Sequence, residues 1–290
     1  MGTPVRLGVI GGSGVYQMEG AEFVRHHDLV TPFGSPSAPI VETRVQDRTI
    51  FFIPRHGLGH RFLPSEVPYK ANIFALKMLG VTHVLAVSAV GIMQDSIKPG
   101  DMVIPDQIFD RTNGQRAATF FGNGVVGHVG FADPFCEEMR TLAIDAAVSC
   151  GARVYKGGTY IAMEGPAFST RAESHFYRNT LSPSIIGMTA IPEAKLAREA
   201  ELSYGLLATA TDYDCWHATE EDVSVEAVLK VLKANGQMFQ KIVKKVAELL
   251  PQTSSAPSLS AAKDAIMTSV EIIPDKLKRD LSPLYGKYWN

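Results

Sequence analysis

Short apolar runs rich in β-branched residues alternate along the chain with longer amphipathic stretches. Runs at 5–10, 49–53, 83–87, 102–104, 159–163, 185–187 and 204–211 have the length and composition of buried strands. Between them, 67–79 closes on Gly80, 135–150 closes on Gly151, and 191–200 carries Pro192 in its first turn, the punctuation of helices. From 223 to 250, Val228, Leu232, Ile242, Val243, Val246 and Leu250 recur at helical spacing and predict one long helix with a packed face. Strands alternating with helices predict an α/β fold. Pro251 breaks the last helix, and the Ser- and Pro-rich stretch 251–258 reads as an exposed linker. A short helix and a tail carrying Tyr285, Tyr288 and Trp289 follow it. The expected organisation is a main domain over 1–250 and a C-terminal segment over 251–290 packed on it.

Composition narrows the function classes. At 290 residues and 46% apolar content, the chain can bury a full core. A net charge of -2 gives no electrostatic footprint for nucleic acid or an anionic membrane, so the expected partner is a small molecule. No segment approaches the ~18 consecutive apolar residues of a membrane span, and the residues after Met1-Gly2 lack the Ser or Thr of a myristoylation signal. Cys136, Cys150 and Cys215 are odd in number and widely spaced, which argues against a disulfide framework or a zinc site and for the reducing cytoplasm.

Candidate chemistry gathers where the strands run out. The strand at 204–211 opens into Asp212-Tyr213-Asp214, and an acid at a strand end is partly desolvated, with its pKa raised. At i and i+2 of an extended segment, the two carboxylates point to one side and could grip a planar ring or a metal. The same pattern serves as a plain turn, and Asp-X-Asp is also the metal-binding pair of sugar-nucleotide glycosyltransferases. The first strand leads into Gly11-Gly12-Ser13-Gly14, whose amides and hydroxyl could bind an anion. It equally reads as a tight turn, and it lacks both the dinucleotide fingerprint and the Gly-Lys-Ser/Thr of a P-loop. Arg55-His56, Ser88-Ala89 and Met188-Thr189 follow three other strands. A guanidinium, an imidazole, hydroxyls and free amides converging from separate strand ends are what a phosphate dianion requires.

Gly-Gly-Ser-Gly, Arg55-His56-Gly57, the segment Glu164-Gly165-Pro166-Ala167-Phe168-Ser169-Thr170-Arg171, Met188-Thr189 and Ala210-Thr211-Asp212-Tyr213-Asp214-Cys215-Trp216 occur together and in this order. On these motifs the chain resembles the 5'-methylthioadenosine phosphorylases of the trimeric purine nucleoside phosphorylase family, from about Leu7 to about Leu229 and more loosely to Pro251. The resemblance implies a single α/β domain around a mixed, barrel-like sheet surrounded by helices, a homotrimer, and cleavage of a purine nucleoside by inorganic phosphate without a metal or organic cofactor. It implies Ser13, Arg55, His56, Ser88, the Ala89 amide and Thr189 around phosphate, and Met188 beneath the ribose. It implies Phe168 and Ser169 at the purine, with Asp212 and Asp214 at its N7 and 6-amino side.

Three positions narrow the substrate. The family's 6-oxopurine enzymes have Asn at the position of Asp212 and Glu at that of Ser169, whereas a carboxylate accepts from an amino group and favours adenine. Val228, near Val225 and Leu229, offers an apolar wall where those enzymes place a His for the 5'-hydroxyl, which favours a methylthio group; it equally reads as a core position of the helix. His128 matches a histidine that reaches a neighbouring subunit's pocket. For the pocket contact that the family draws from its C-terminus, Ile272 and Ile273 are candidates. The expected reaction is phosphorolysis of 5'-methylthioadenosine to adenine and 5-methylthioribose 1-phosphate, with adenosine or methylthioinosine as alternative substrates. A metal-dependent glycosyltransferase and a non-catalytic nucleotide-binding module remain the rival readings.

Overall fold

The computed structural model describes residues 2–12, 21–217 and 223–289. Its strands are β1 (Thr3–Pro4), β2 (Leu7–Gly11), β3 (Glu22–His27), β4 (Ile40–Val45), β5 (Arg48–Pro54), β6 (His83–Ile92), β7 (Met102–Ile104), β8 (Gln107–Arg111), β9 (Val154–Lys156), β10 (Thr159–Met163), β11 (Ile185–Gly187), β12 (Ser203–Asp212) and β13 (Thr253–Ser254). The helices are α1 (Tyr69–Met78), α2 (Glu137–Ser149), α3 (Arg171–Phe176), α4 (Ala190–Glu199), α5 (Val225–Leu249), α6 (Asp275–Asp280) and α7 (Ser282–Tyr285). All seven strands expected from the sequence are present. The short, polar β3 and β8 and the three-residue β9 are additions, as is β4.

Eleven strands form one mixed sheet with the order β3-β4-β5-β2-β6-β11-β10-β8, and β12 pairs with both β6 and β7. The centre is β2, β5, β6 and β12, paired in parallel. Their side chains alternate between two apolar layers. Ile10, Ile53, Ala86 and Leu206 enter one core with α1 and α4, while Val9, Phe52, Leu85 and Leu207 enter another with α2 and α5. A sheet buried on both faces needs this continuous apolar character, because each successive residue faces a different core.

The sheet branches at β6, and the branch makes room for a site. Pairing of β6 with β2 stops at Ala86, its pairing with β12 runs on to Gly91, and Gly91 and Ile92 then pair antiparallel with β11. Ser88 and Ala89 therefore lie inside β6, not beyond its end as the apolar run suggested; they are reachable because β2 has already left.

The stretch 251–258 is also not the free linker expected. Thr253 and Ser254 pair with β1, while Ser254, Ala256 and Ser258 are buried. Beyond it, Tyr285 is fully buried and Tyr288 donates to Glu201, so the aromatic tail is packed.

Candidate active site

A cavity of about 660 Å³ opens at the carboxyl ends of the parallel strands. Arg55, His56, Ser88, Ala89 and Thr189 line it together with Asp212, Asp214 and Phe168; Asp212 is opposite Gly91 in the ladder, three residues along β6 from Ser88, and Met188 lies on the β11 to α4 link. Val225, Val228 and Leu229, one face of α5, close a side.

Arg55 is 3% exposed and is therefore not an ordinary surface charge. Its Nε and Nη2 donate to the two oxygens of Glu193 at 2.7 and 2.9 Å, and its Nη1 donates to the Val87 carbonyl at 3.0 Å. Tyr204 also donates to Glu193 at 2.9 Å. Burial opposes the charge on Arg55, but the Glu193 carboxylate outweighs it and holds the guanidinium above its ordinary pKa. Three of the five guanidinium donors are used in this way, leaving one on each Nη for a ligand.

His56 is half-buried, and its Nδ1 meets the Phe62 carbonyl at 2.9 Å, so Nδ1 carries the proton. Burial and the adjacent Arg55 charge lower its pKa to about 4. The ring is therefore neutral near pH 7, with Nε2 an acceptor. His60 stacks on it, ring centroids 4.2 Å apart, and also lines the cavity. The Ser88 and Thr189 hydroxyls lie 3.4 Å apart. Ser13 lies outside the described residues.

The acid pair has a different origin from the one expected. Pairing between β6 and β12 skips Thr211, and this bulge re-aims the end of β12. Asp214 is not two positions along an extended strand; it sits in the following turn with φ of +52°, and its amide donates to Asp212 Oδ1 at 2.9 Å. An Asp-centred turn, not alternation along a strand, thus brings both residues to the same cavity. Gly91 is the partner of Asp212 in the ladder, and a Cβ there would lie 3.4 Å from Asp212 Oδ1 and 2.9 Å from Ile186. A side chain at 91 would force Ile186 to shift and would pack directly against the acid.

Burial raises the pKa of Asp212; hydrogen bonds from the Thr211 hydroxyl, at 2.6 Å, and the Asp214 amide oppose it, and the Asp214 charge adds to it. Burial likewise raises Asp214, against the neighbouring Ser174 and Ser169 hydroxyls. Asp214 Oδ2 is buried without a completed hydrogen bond. The turn is anchored by Trp216 Nε1, which donates to the Ile92 carbonyl at 2.6 Å, and by Arg171, which donates to the Cys215 carbonyl at 2.6 Å.

The family model for the phosphorylase superfamily matches residues 6–248. The chain belongs to the phosphorylase superfamily. It is 52% identical over 282 residues to an S-methyl-5'-thioadenosine phosphorylase from Geobacter sulfurreducens, covering 97% of this chain and 98% of that one. Among solved structures, it is similar to a methylthioadenosine phosphorylase from an antarctic soil metagenomic library, with TM-score 0.92, 44% identity and coverage of 97% and 99%. It is also similar to methylthioadenosine phosphorylase from Schistosoma mansoni in complex with adenine, with TM-score 0.83, 37% identity and coverage of 90% and 96%. Membership in the phosphorylase superfamily sets aside the glycosyltransferase and dinucleotide-module readings.

Most of the residues assigned from the phosphorylase resemblance meet in this one cavity. Ser169 stands behind its wall, where its carbonyl meets Cys215 Sγ at 3.3 Å. His128 lines a separate surface cavity of about 500 Å³ with Phe121, Val129 and Phe131. Ile272 is exposed and Ile273 lies in the core, so neither lines the main cavity. Glu193 is not legible in the sequence, because nothing local marks a carboxylate 138 positions from Arg55 as its partner. The run along α5 from Leu232 to Gln240 is a further addition to the cavity wall, to which helical spacing from Val228 points. Among the described residues, no group of three His, Cys, Asp or Glu is arranged for a metal ion, and no helix is long and apolar enough to cross a membrane.

Proposed function

We propose that this protein cleaves 5'-methylthioadenosine with inorganic phosphate, yielding adenine and 5-methylthioribose 1-phosphate. The observation that carries the reading is the make-up of a single cavity, which joins neutral-tending buried acids to anion-suited donors. Breaking the N-glycosidic bond puts positive charge on the sugar and negative charge on the base. Asp212, biased by burial toward its protonated form, stabilises the leaving purine at N7, and Asp214 accepts from the 6-amino group. Phosphate, held by the two free N–H groups of Arg55, by Ser88, Thr189 and the Ala89 amide, and by Ser13, stabilises the sugar cation and then forms the new C–O bond. His56, neutral before phosphate arrives, gains basicity beside the dianion and takes up a proton as it binds. Met188 faces the sugar, Phe168 borders the purine with Ser169 behind it supporting Asp214, and Val225, Val228 and Leu229 receive the methylthio group. The names of the relatives support the substrate, and the adenine complex of the Schistosoma enzyme supports the base. No metal or organic cofactor enters these steps.

The same reading has the chain act as a homotrimer in the cytoplasm. Exposed Val126 and Met267, 51% and 72% accessible and hydrogen-bonded to each other through their backbones, form an apolar surface beside His128 suited to a second copy. His128 would then complete the neighbour's pocket. None of the three cysteines is in a disulfide, which suits a reducing compartment. Purified protein incubated with methylthioadenosine, adenosine and inosine, each with and without phosphate, tests the proposal. Adenine should form fastest from methylthioadenosine and only with phosphate; preferential cleavage of inosine would refute it.

A further inference from the structure

Arg116 is a buried cation for which the reaction above has no direct use. It lies in the irregular stretch after β8, yet its side chain is 2% exposed. Nε donates to Glu164 Oε1 at 2.8 Å; Nη1 donates to the Met188 carbonyl and, at 2.7 Å, to the Ile191 carbonyl; Nη2 donates to the Glu164 carbonyl and, at 3.4 Å, to the Met163 carbonyl. All five N–H groups are consumed, in contrast to Arg55, so Arg116 has no donor left for a ligand. What it holds together are the end of β10 and the link from β11 to α4, the two segments that place Met188 and Thr189 in the cavity. Glu164 is fixed in turn, its Oε2 accepting from the Asn113 amide at 3.0 Å. The next residue, Gly165, has φ of +72°, and a Cβ there would sit 2.5 Å from Met188 Sδ. The corner after Glu164 therefore lies directly against the Met188 thioether.

We propose that Arg116 and Glu164 form a positioning clamp that fixes the Met188–Thr189 segment between sugar and phosphate, so that loosening it slows turnover more than it weakens binding. The inference rests on the proposed phosphorolysis, in which Met188 faces the sugar and Thr189 the phosphate. The Thr189 amide is separately held, donating to the buried Tyr160 hydroxyl at 3.3 Å, so the loss of the clamp frees the Met188 carbonyl without releasing the whole link. A misplacement on the order of 1 Å at a reacting centre costs about 100-fold in rate.

The test is steady-state kinetics of Arg116→Met, Arg116→Lys and Glu164→Gln, with methylthioadenosine and phosphate varied separately, alongside thermal melting. Arg48→Met serves as the stability control, because Arg48 bonds the Leu250 and Pro251 carbonyls at the opposite end of the sheet. Arg116→Met should lower kcat by about 100-fold with much smaller changes in either KM. Arg116→Lys and Glu164→Gln should recover a substantial part of that loss, and Arg48→Met should keep wild-type kcat at a comparable melting temperature. Folded Arg116→Met protein with wild-type kcat, a loss confined to KM, or a loss that Arg48→Met reproduces would overturn the clamp. So would failure of all three site variants to fold. A wild-type enzyme without phosphate-dependent cleavage would instead remove the functional reading, and the clamp with it.

Discussion

The two sides of the cavity are built on different principles. On the strand side, Arg55, Glu193 and Tyr204 are nearly inaccessible and bonded to one another, and buried Thr189 is held by the Tyr160 hydroxyl. On the α5 side, Val225 and Leu229 are 63% and 59% exposed and present only apolar surface. The first region is organised before any ligand arrives, so the groups proposed for charge stabilisation need no rearrangement at the moment of reaction. The second gains its burial from a ligand, which suits a wall that selects a substituent by apolar contact. Chemistry is assigned to the finished half and selectivity to the unfinished one, and substitutions in each should fail differently.

Removing Arg55 should have the largest effect, and on folding as well as activity. Arg55→Ala leaves Glu193 buried and uncompensated, a loss of about 3 to 5 kcal/mol. Denaturant titration should show it, and Arg55→Ala combined with Glu193→Ala should restore much of the stability without restoring phosphate use. Equal activity in the double variant and the wild type would break the assignment of Arg55 to phosphate.

Asp212→Asn comes next, with a loss of about 2 to 4 kcal/mol in transition-state stabilisation and little change in melting temperature. Relative preference should move toward 6-oxopurines, measured by competition between adenosine and inosine. Because burial raises the Asp212 pKa and the protonated form is the active one, kcat/KM for the nucleoside should fall as pH rises through that value. Unchanged activity in the Asn variant would contradict the role.

A smaller effect should appear at His56. Its pKa of about 4 makes it neutral at pH 7, so phosphate gains affinity from it only where binding raises that value above the ambient pH, by about 1.4 kcal/mol for each unit beyond it. Proton uptake on phosphate binding, read from calorimetry in buffers of different ionisation enthalpy, should be present in the wild type and lost in His56→Gln. Phosphate binding should weaken as pH rises past the raised value. Uptake that persists in the variant would assign the proton elsewhere.

Val228→His should have the mildest effect, a shift of about 1 to 3 kcal/mol in preference from methylthioadenosine toward adenosine. Competition of the two substrates in one reaction cancels differences in active enzyme. A folded variant with an unchanged ratio would show that α5 does not read the 5' group.

How far the sequence discloses this molecule follows the same division. The buried parallel strands were legible because two-sided burial writes an uninterrupted apolar run, whereas β3 and β8 have largely polar sequences and owe their form to ladder pairing with a neighbour. Strand ends marked the candidate site, and the motifs carried most of its residues into one cavity. The partners of Arg55 and the five-bond setting of Arg116 were not legible, since each joins segments far apart in the chain. The convergence of the two acids was foreseen for the wrong reason: neither the bulge at Thr211 nor the left-handed backbone of Asp214 leaves a mark in hydrophobic patterning.

Phosphorus NMR during turnover of methylthioadenosine shows whether phosphate becomes part of the product. One new sugar phosphate ester should appear for each adenine released, with inorganic phosphate falling in step and a metal chelator changing nothing. Adenine released with free methylthioribose, at a rate independent of phosphate, would contradict phosphorolysis.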